Sequence, residues 1–245
     1  MTGPQKIVIY GPGGIGKSKL VSLLASVGIR PRVLDLDNNS GHLAVDRIGT
    51  DELQSLDDVR DALHTESLWS NYGAVAIDSA TRLEEYVANW VVENVPNEKG
   101  EKVSSLGGYG FSKELSHIYN AFLPIFADLE AHTRKGRHVI LVCHECTSSV
   151  PNPQGEDWLR YEPRMQSPAS GKSSIRHRIK EWCNHMLFVG YDVQAGKTGK
   201  ASGVGIRTIY PNELPTLWAK SHALTRPILY NDGDPELWRQ MFNVQ

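Results

Sequence analysis

The segment Gly11–Ser18 has the spacing of a phosphate-binding loop. It reads GPGGIGKS, which matches GxxxxGK[ST] at every fixed position, and it lies between the strand-like run KIVIY and a helix-like run. Glycines let successive backbone N–H groups converge on one point, and the helix N-terminus after them adds partial positive charge. The sequence therefore predicts a site for the phosphates of a nucleotide such as ATP. Its predicted residues are Gly11, Gly13, Gly14, Gly16, Lys17, Ser18 and Lys19.

Two side chains of this loop and one carboxylate further along the chain predict a magnesium site. Lys17 supplies a positive charge for the β- and γ-phosphates, and Ser18 supplies a hydroxyl ligand for Mg²⁺. Such a site also needs an acid at the end of a neighbouring strand, and Asp78 follows the apolar run Ala74–Ile77. The alternative is that Asp78 only caps the next helix, since acids are common at that position.

Polar side chains at two other predicted strand ends are candidates for the reaction itself. Asp35 and Asp37 end the run RVLDL two residues apart, so both are expected on the same face. We favour Asp37 for orienting the attacking water, and the alternative is a solvated turn. His144 directly follows HVILVC, where it could sense the terminal phosphate or could simply end the strand.

The elements that must position these residues alternate between strands and helices. Predicted strands are Lys6–Tyr10, Arg32–Leu36, Ala74–Ile77 and His138–Cys143, and predicted helices are Lys17–Val27, Asp57–His64, Arg82–Val95 and Ser112–Arg134. This alternation predicts an α/β fold with a mostly parallel central sheet flanked by helices. Two later strands, Met186–Val193 and Gly205–Tyr210, predict a hairpin around the turn QAGKTGKASG, and Pro235–Phe242 predicts a last helix. We expect residues 1–245 to form one domain.

The composition excludes some function classes. The chain has 245 residues, of which 40% are hydrophobic and 22% charged, as in an ordinary globular protein. Its 26 Lys and Arg residues and 28 Asp and Glu residues give a net charge of −2, so a nucleic-acid site would have to be a local basic patch. No apolar run approaches the ~18 residues of a membrane helix, and the N-terminus resembles no signal peptide. We therefore expect no membrane partner and a cytoplasmic location, in the host cell if a phage encodes the protein.

The three cysteines are typical of free thiols in a reducing compartment. Cys143, Cys146, Cys183 and His185 could in principle supply four zinc ligands, but their spacing matches no known zinc pattern. We predict free cysteines, with a zinc site as the alternative.

Residues 151–180 contain four prolines and no clear periodicity, which predicts a long functional loop. Its basic residues are Arg160, Arg164, Lys172, Arg176, Arg178 and Lys180, against the acids Glu156, Asp157 and Glu162. Trp158 and Tyr161 lie between them. Because bases stack on aromatic rings while cations contact phosphates, this segment is a candidate site for single-stranded DNA. The alternative is a lid or a subunit contact. Gly107–Phe111 (GGYGF) is a second, weaker candidate for DNA.

Together the phosphate-binding loop, Asp78 with Ser79, the strand ending at His144 and the late hairpin resemble the RecA-like P-loop ATPase core. More narrowly, the chain resembles phage-encoded nucleotide-binding proteins of the RecA-type single-strand annealing group. This narrower resemblance lies in the segments YEPRMQSPASGKSSIRHRIKEW, FVGYDV, GIRTIYPNELP and WAKSH. It implies an ATPase that forms homo-oligomers with nucleotide at the subunit interfaces and that binds single-stranded DNA.

The resemblance also implies a Lys-x-Arg pair that completes a neighbouring subunit's site. Lys220 occupies the first position of this pair, but His222 stands where the Arg is expected. Arg207 and Arg226 are possible substitutes. The family tends to place Glu where this sequence has Asp37, and the shorter acid implies slow turnover.

Three functions follow from these observations. The first is an ATP-dependent oligomeric protein that acts on single-stranded DNA in phage recombination or annealing. The second is a nucleotide-switched partner of replication proteins, such as a helicase loader, that barely hydrolyses ATP. The third is a small-molecule nucleotide kinase, which the absence of an identifiable Arg-rich lid disfavours. We favour the first.

Overall fold

The computed structural model describes residues 3–110, 113–195 and 201–244, with side chains left undescribed at 193–195 and 201–204. Its strands are β1 (Lys6–Tyr10), β2 (Pro31–Asp35), β3 (Asp46–Ile48), β4 (Ala74–Asp78), β5 (His138–Cys143), β6 (Glu145–Val150), β7 (Trp158–Pro163), β8 (His185–Ala195), β9 (Ala201–Tyr210) and β10 (Ile228–Leu229). Its α-helices are α1 (Lys17–Ser22), α2 (Leu56–His64), α3 (Ala80–Asn94), α4 (Lys113–Arg134), α5 (Ile175–Trp182) and α6 (Glu236–Phe242).

The main sheet has eight strands in the order β10-β9-β8-β1-β5-β4-β2-β3. The strands from β8 to β3 run parallel, whereas β9 and β10 are antiparallel to their neighbours. The predicted α/β class, with a mostly parallel sheet and a C-terminal hairpin, is confirmed. Parallel strands end at one edge of a sheet, so the segments that follow β1, β2, β4 and β5 meet there.

The central strands are buried on both faces because helices cover both sides of the sheet. In β1, Val8 and Tyr10 pack into the core that contains residues of α2, α3, α4 and α5. Ile7 and Ile9 face the opposite core, which contains residues of α1 and α6. This alternation follows from the two-residue period of a strand, and it holds the end of β1 rigidly in the middle of the molecule.

The prediction that residues 151–180 form a long loop is wrong in part. The segment contains β7, which pairs antiparallel with β6 to form a two-stranded hairpin, and it also contains α5. These elements were not predicted because the segment is rich in proline and charged residues. The strands β6 and β7 also carry no simple alternation of apolar and polar residues. Ile175, Ile179 and Trp182 of α5 are buried at helical spacing, so that signal was present in the sequence.

Smaller differences concern element bounds. The predicted helix Lys17–Val27 is α1 followed by a 3₁₀ turn over Leu23–Val27, and the short edge strand β3 was not predicted. Phe111, Ser112 and residues 196–200 of the predicted Gly/Lys-rich turn lie outside the described residues. Within the described ranges, no helix is both long enough and apolar enough to cross a membrane.

Candidate functional site

The phosphate-binding loop between β1 and α1 depends on glycine at two close approaches. Gly16 has a φ of 107°, and a Cβ there would lie 2.6 Å from the Tyr230 hydroxyl, which donates a hydrogen bond to the Gly16 carbonyl. A Cβ on Gly11 would lie 2.1 Å from the carbonyl oxygen of Val189 in β8. Any larger residue at either position would displace the loop from its neighbours.

The predicted nucleotide-binding residues border one cavity of about 520 Å³ at the carboxyl edge of the sheet. Its lining includes Gly13, Gly14, Gly16, Lys17, Ser18 and Lys19 from the loop, together with Asp37, Asp78 and His144 from the strand ends. Gly11 lies behind them, where its carbonyl accepts a hydrogen bond from Lys17. The structure thus brings together the residues that the sequence predicted for phosphate and metal binding.

Lys17 is a buried cation that interacts with its own loop. Its Nζ donates to the carbonyl oxygens of Gly11 at 2.8 Å and Pro12 at 2.7 Å. Burial lowers the pKa of the Lys17 ammonium, and the nearby Asp78 partly opposes that shift. A dehydrated ammonium with few anionic partners favours an incoming polyphosphate.

Asp78 is at the end of β4 with one carboxylate oxygen unsatisfied. Its Oδ2 is buried and has no hydrogen-bond partner. Burial raises the pKa of the Asp78 carboxyl, while the Ser18 side chain lowers it. Helix α3 is capped by Ser79, whose Oγ accepts from the Arg82 N–H at 3.2 Å, so the capping alternative for Asp78 does not apply.

This donor set fits a magnesium ion. Mg²⁺ prefers hard oxygen ligands and keeps several waters, so one hydroxyl and one nearby carboxylate beside a phosphate site suffice. Ser18 would bind the ion directly, and Asp78 would hold its hydration shell. When bound, such an ion neutralises charge on the β- and γ-phosphates.

Asp37 and His144 form a pair across the cavity. His144 Nε2 lies 3.1 Å from Asp37 Oδ2. Burial raises the pKa of the Asp37 carboxyl, but hydrogen bonds from His144 and Ser79 outweigh burial and leave the pKa below its ordinary value. Asp37 is therefore an ionised acceptor at neutral pH, which is the state needed to orient a water molecule.

Asp35, by contrast, organises the turn after β2. It is fully buried and accepts from the backbone N–H groups of Asn39 and Ser40, each at 3.0 Å, and from the Ser40 hydroxyl at 2.6 Å. The prediction that Asp35 and Asp37 share one face is wrong, because β2 ends at Asp35 and the chain turns before Asp37.

His144 also connects the cavity to the β6–β7 hairpin. Its backbone N–H donates to Thr81 Oγ1 at 3.1 Å, and its carbonyl accepts from the Arg164 N–H at 2.8 Å. A second connection comes from Tyr10, the last residue of β1. Its buried hydroxyl donates to the Trp218 carbonyl at 2.6 Å and lies 3.0 Å from the Tyr161 carbonyl.

The basic residues predicted to contact DNA divide into two groups. Arg160 and Arg176 both form ion pairs at 2.6 Å with Glu162, which is 3% exposed, and Arg176 also donates to the Met165 carbonyl. We therefore leave these two out of the proposed DNA surface, since Arg160 is paired within β7 and Arg176 joins α5 to β7. Arg164, Lys172 and Arg178 are exposed, whereas Lys180 pairs with Glu213. Trp158 is also exposed, and Tyr161 is 40% exposed but stacks one face of its ring on Phe188.

The residues predicted to complete a neighbour's site lie in different places. The Lys220 backbone pairs with Met186, near the start of β8 and away from the cavity of its own chain. His222 and Arg226 are exposed. A role for Lys220 at a subunit interface therefore stays a prediction. Arg207, however, lines the cavity of its own chain.

Sequence reasoning missed several groups near the phosphate loop. Glu145 follows His144, its Oε2 is buried without a partner, and burial raises the pKa of its carboxyl while Lys17 opposes that shift. Its position next to a predicted site residue was the available signal. Asp232 also lines the cavity but comes from the C-terminal part of the chain, so no local pattern marked it.

The cysteines are buried or half-buried free thiols. Burial raises the pKa of Cys143 well above its ordinary value and raises that of Cys183 to about 11. Across the described ranges of the chain, no group of three or more His, Cys, Asp and Glu side chains is arranged to hold a metal ion.

A family comparison agrees with this geometry. The family model described as AAA domain matches residues 3–223, which is most of the chain. The chain belongs to the AAA domain family. This AAA domain is thus a nucleotide-binding P-loop protein. A comparison with curated proteins finds no match.

Solved structures with a similar arrangement share little sequence with this AAA domain. A KaiC-like protein from Pyrococcus horikoshii OT3 is 11% identical with a TM-score of 0.43, over 84% of this chain and 76% of that one. The RadB recombinase is 14% identical with a TM-score of 0.41, over 84% and 79%. An ATPase from the type III secretion system of pathogenic bacteria is 13% identical with a TM-score of 0.43, over 76% and 52%.

Proposed function

We propose that this AAA domain binds and hydrolyses Mg-ATP as a homo-oligomer with nucleotide at the subunit interfaces, and that it acts on single-stranded DNA in phage recombination or annealing. The observation that carries the nucleotide chemistry is the buried, unpartnered Asp78 Oδ2 in the same cavity as Lys17. An unsatisfied buried carboxylate oxygen is costly, and a hydrated cation would satisfy it.

Each group of the site has a separate role in the proposed phosphoryl transfer. Backbone N–H groups of the loop bind the phosphates, and Lys17 exchanges its carbonyl partners for phosphate oxygens. Asp37 accepts a hydrogen bond from the attacking water, while His144 holds the Asp37 carboxylate in place at 3.1 Å. Catalysis of this kind consists of positioning and charge stabilisation, which suits a site without a covalent nucleophile.

The proposal for DNA is supported by the outer part of the β6–β7 hairpin. Trp158, Leu159 and Tyr161 are 38%, 67% and 40% exposed there. The hairpin begins directly after His144, so its base is joined to the end of the cavity where the terminal phosphate is expected. Exposed aromatic rings on such a hairpin suit bases stacked along a single strand.

The test of the enzymatic proposal is the rate of phosphate release from Mg-ATP with and without a single-stranded oligonucleotide, alongside sizing of the protein with ATP. We expect release that the oligonucleotide stimulates and an oligomer in the presence of ATP. Absence of ATP binding would refute the nucleotide proposal, and phosphate release that is unchanged by DNA would refute the link to DNA.

The test of the DNA surface uses charge reversal at two exposed cations. The double variant Arg164→Glu and Arg178→Glu should weaken binding of a labelled oligonucleotide, whereas Arg134→Glu at the far end of α4 should not. Arg160, Arg176 and Lys180 form ion pairs at 2.6–3.0 Å, whereas Arg178 lies 3.9 Å from Glu181 and no ion pair involves Arg164 or Lys172 in the described part of the chain. With three cations left for DNA, we expect a slope of log K against log salt of about −2 rather than about −4. The steeper slope would show that the paired arginines also contact DNA.

A second candidate is a nucleotide-switched module that binds ATP tightly and hydrolyses it slowly. The pairing of Asp37 with His144 favours it, because a short acid held by a neighbour is less free to reach a water molecule. This candidate predicts tight Mg-ATP binding, negligible phosphate release and retention of a replication protein. Lengthening the acid with Asp37→Glu should then raise the rate of phosphate release.

A further inference from the structure

Arg207 reaches from β9 into the phosphate cavity of its own chain. Its Nη1 donates to the carbonyl oxygen of Ile15, inside the phosphate-binding loop, at 3.2 Å. Its guanidinium also lies 4.7 Å from the centre of the Tyr230 ring, and Tyr230 in turn donates to the Gly16 carbonyl at 2.8 Å. Two side chains from the C-terminal part of the chain therefore contact consecutive carbonyls of the loop.

The charge of Arg207 is balanced by a carboxylate at the mouth of the cavity. Nη2 of Arg207 lies 2.9 Å from Asp232 Oδ1, and the Asp232 side chain is 56% exposed. Asp232 lies 3.7 Å from Lys19 as well. Ion pairs with half-exposed partners contribute little to stability and exchange easily, so this pair can open without a large cost.

We propose that Arg207 binds phosphate oxygens of the nucleotide in the site of its own chain, and that Asp232 holds the guanidinium until the nucleotide arrives. The inference rests on the nucleotide binding proposed above. A guanidinium carries five N–H donors, and the contacts with Ile15 and Asp232 engage two of its nitrogens. Phosphate can accept two hydrogen bonds from a guanidinium and carries more negative charge than a carboxylate, so Arg207 exchanges Asp232 for the phosphate. Its hydrogen bond to the Ile15 carbonyl holds the guanidinium above the loop during this exchange.

The assignment differs from what the resemblance implied for Arg207. There, Arg207 was a possible substitute for the Arg that completes a neighbour's site. A cation that already contacts Ile15 of its own loop is placed to act within one subunit. Arg207 therefore contributes to the nucleotide site of its own chain, whereas Lys220 or Arg226 would contribute to the site of a neighbouring chain.

The first experiment compares the dissociation constants of Mg-ATP and of tripolyphosphate for three variants. Arg207→Ala should weaken binding of both ligands by about tenfold. Asp232→Asn should tighten binding by about threefold, because it frees the guanidinium. Arg134→Ala, an exposed arginine at the end of α4 and outside the cavity, is the matched control and should change neither constant. A folding defect cannot produce the tighter binding expected for Asp232→Asn.

A second experiment separates action within a chain from action between chains. Subunits carrying Lys17→Ala are mixed with subunits carrying Arg207→Ala, and phosphate release is measured. If Arg207 acts within its own chain, no subunit in the mixture has a complete site and the rate stays at the level of the separate variants. If it acts on a neighbour, some interfaces become complete and the rate recovers, which would overturn the proposal.

The outcomes distinguish this inference from the proposed function. If the wild type does not bind Mg-ATP, the proposed function fails. If the wild type binds but Arg207→Ala behaves like Arg134→Ala, only the role of Arg207 fails. Loss of ATP binding with unchanged tripolyphosphate binding would also overturn the inference, since Arg207 would then contact the base or the ribose.

Discussion

Buried charged side chains lack full partners in the phosphate cavity but are paired with one another in the β6–β7 hairpin. In the cavity, Lys17 donates hydrogen bonds to neutral carbonyl oxygens, and among the described residues Asp78 Oδ2 has no hydrogen-bond partner, so these two charges are buried without full compensation. At the hairpin, Glu162 is buried between Arg160 and Arg176, so the charges compensate one another. A region prepared for an external ligand keeps unsatisfied groups, whereas a region that holds itself together satisfies them internally.

This difference shows why counting charged residues was a poor guide to the hairpin. The segment carries a surplus of basic residues, but two of its arginines support its own structure. What remains for a partner are the aromatic rings and a few exposed cations. The predictions below change one region at a time to test this contrast.

The largest effect is expected for Lys17→Ala. The variant loses the cation that faces the terminal phosphates, so phosphate release should fall by about 100-fold or more. The fold should survive, because Lys17 contacts only carbonyls of its own loop. Lys135→Ala, an exposed lysine outside the cavity, is the control and should keep most of the activity. Normal ATP turnover in the Lys17→Ala variant would show that the phosphate-binding loop does not take part in the reaction.

Breaking the internal pairing of the hairpin should have the next largest effect. Glu162→Gln leaves Arg176 buried without its counter-charge, which should lower the free energy of unfolding by about 3 kcal/mol. For a chain of this size the melting temperature should fall by roughly 6–12 °C. Glu213→Gln removes the exposed ion pair with Lys180 and should change the free energy by less than about 1 kcal/mol. Equal effects in a thermal melt would mean that the pairing of Glu162 contributes no more to stability than an exposed ion pair.

Removing one aromatic ring tests what the hairpin offers a partner. Trp158→Ala should weaken binding of a single-stranded oligonucleotide by about 5- to 100-fold, as expected for the loss of one stacked base. Phosphate release without DNA should not change. Tyr191→Ala, an exposed aromatic on β8, is the comparison. Equal losses in both variants, measured by fluorescence anisotropy, would argue against a specific hairpin surface.

The smallest expected effect is a gain in stability of the ligand-free protein when the charge of Asp78 is removed. Because burial raises the pKa of Asp78 above 3.8, its ionised form destabilises the ligand-free protein at neutral pH, and that cost develops as pH rises above 3.8. Asp78→Asn should therefore raise the melting temperature of the ligand-free protein by about 3 °C at pH 7, with no gain once the wild-type carboxyl is protonated.

The same variant should lose most of the stabilisation that Mg-ATP gives the wild type, because that stabilisation depends on nucleotide binding. A melting temperature for Asp78→Asn below that of the wild type at pH 7 would contradict the assignment of an uncompensated carboxylate.

The sequence predicted the cavity well because its parts are local. Eight consecutive residues determine the path of the phosphate loop, and Asp78, Asp37 and His144 each follow a strand whose apolar run is visible. Since parallel strands end at one edge, their meeting point followed from the fold class.

The hairpin and Arg207 were harder to predict because they depend on distant residues. Arg176 meets Glu162 only after α5 folds back onto β7, and Arg207 reaches a loop almost two hundred residues earlier in the chain. The strands β6 and β7 also lacked a simple alternation of apolar and polar residues. Pairings of this kind depend on tertiary packing, which no short pattern in the sequence contains.

The hydroxyl of Tyr10 has a mechanical consequence. Tyr10 immediately precedes the phosphate loop, and its hydrogen bond to Trp218 and contact with Tyr161 fasten the hairpin to the same strand that carries the loop. The attachment at His144 and the ion pair between Glu162 and Arg176 of α5 hold the hairpin at further points. A shift of β1 or β5 would therefore be transmitted to the hairpin, and the ring of Trp158 at its outer end would move with it.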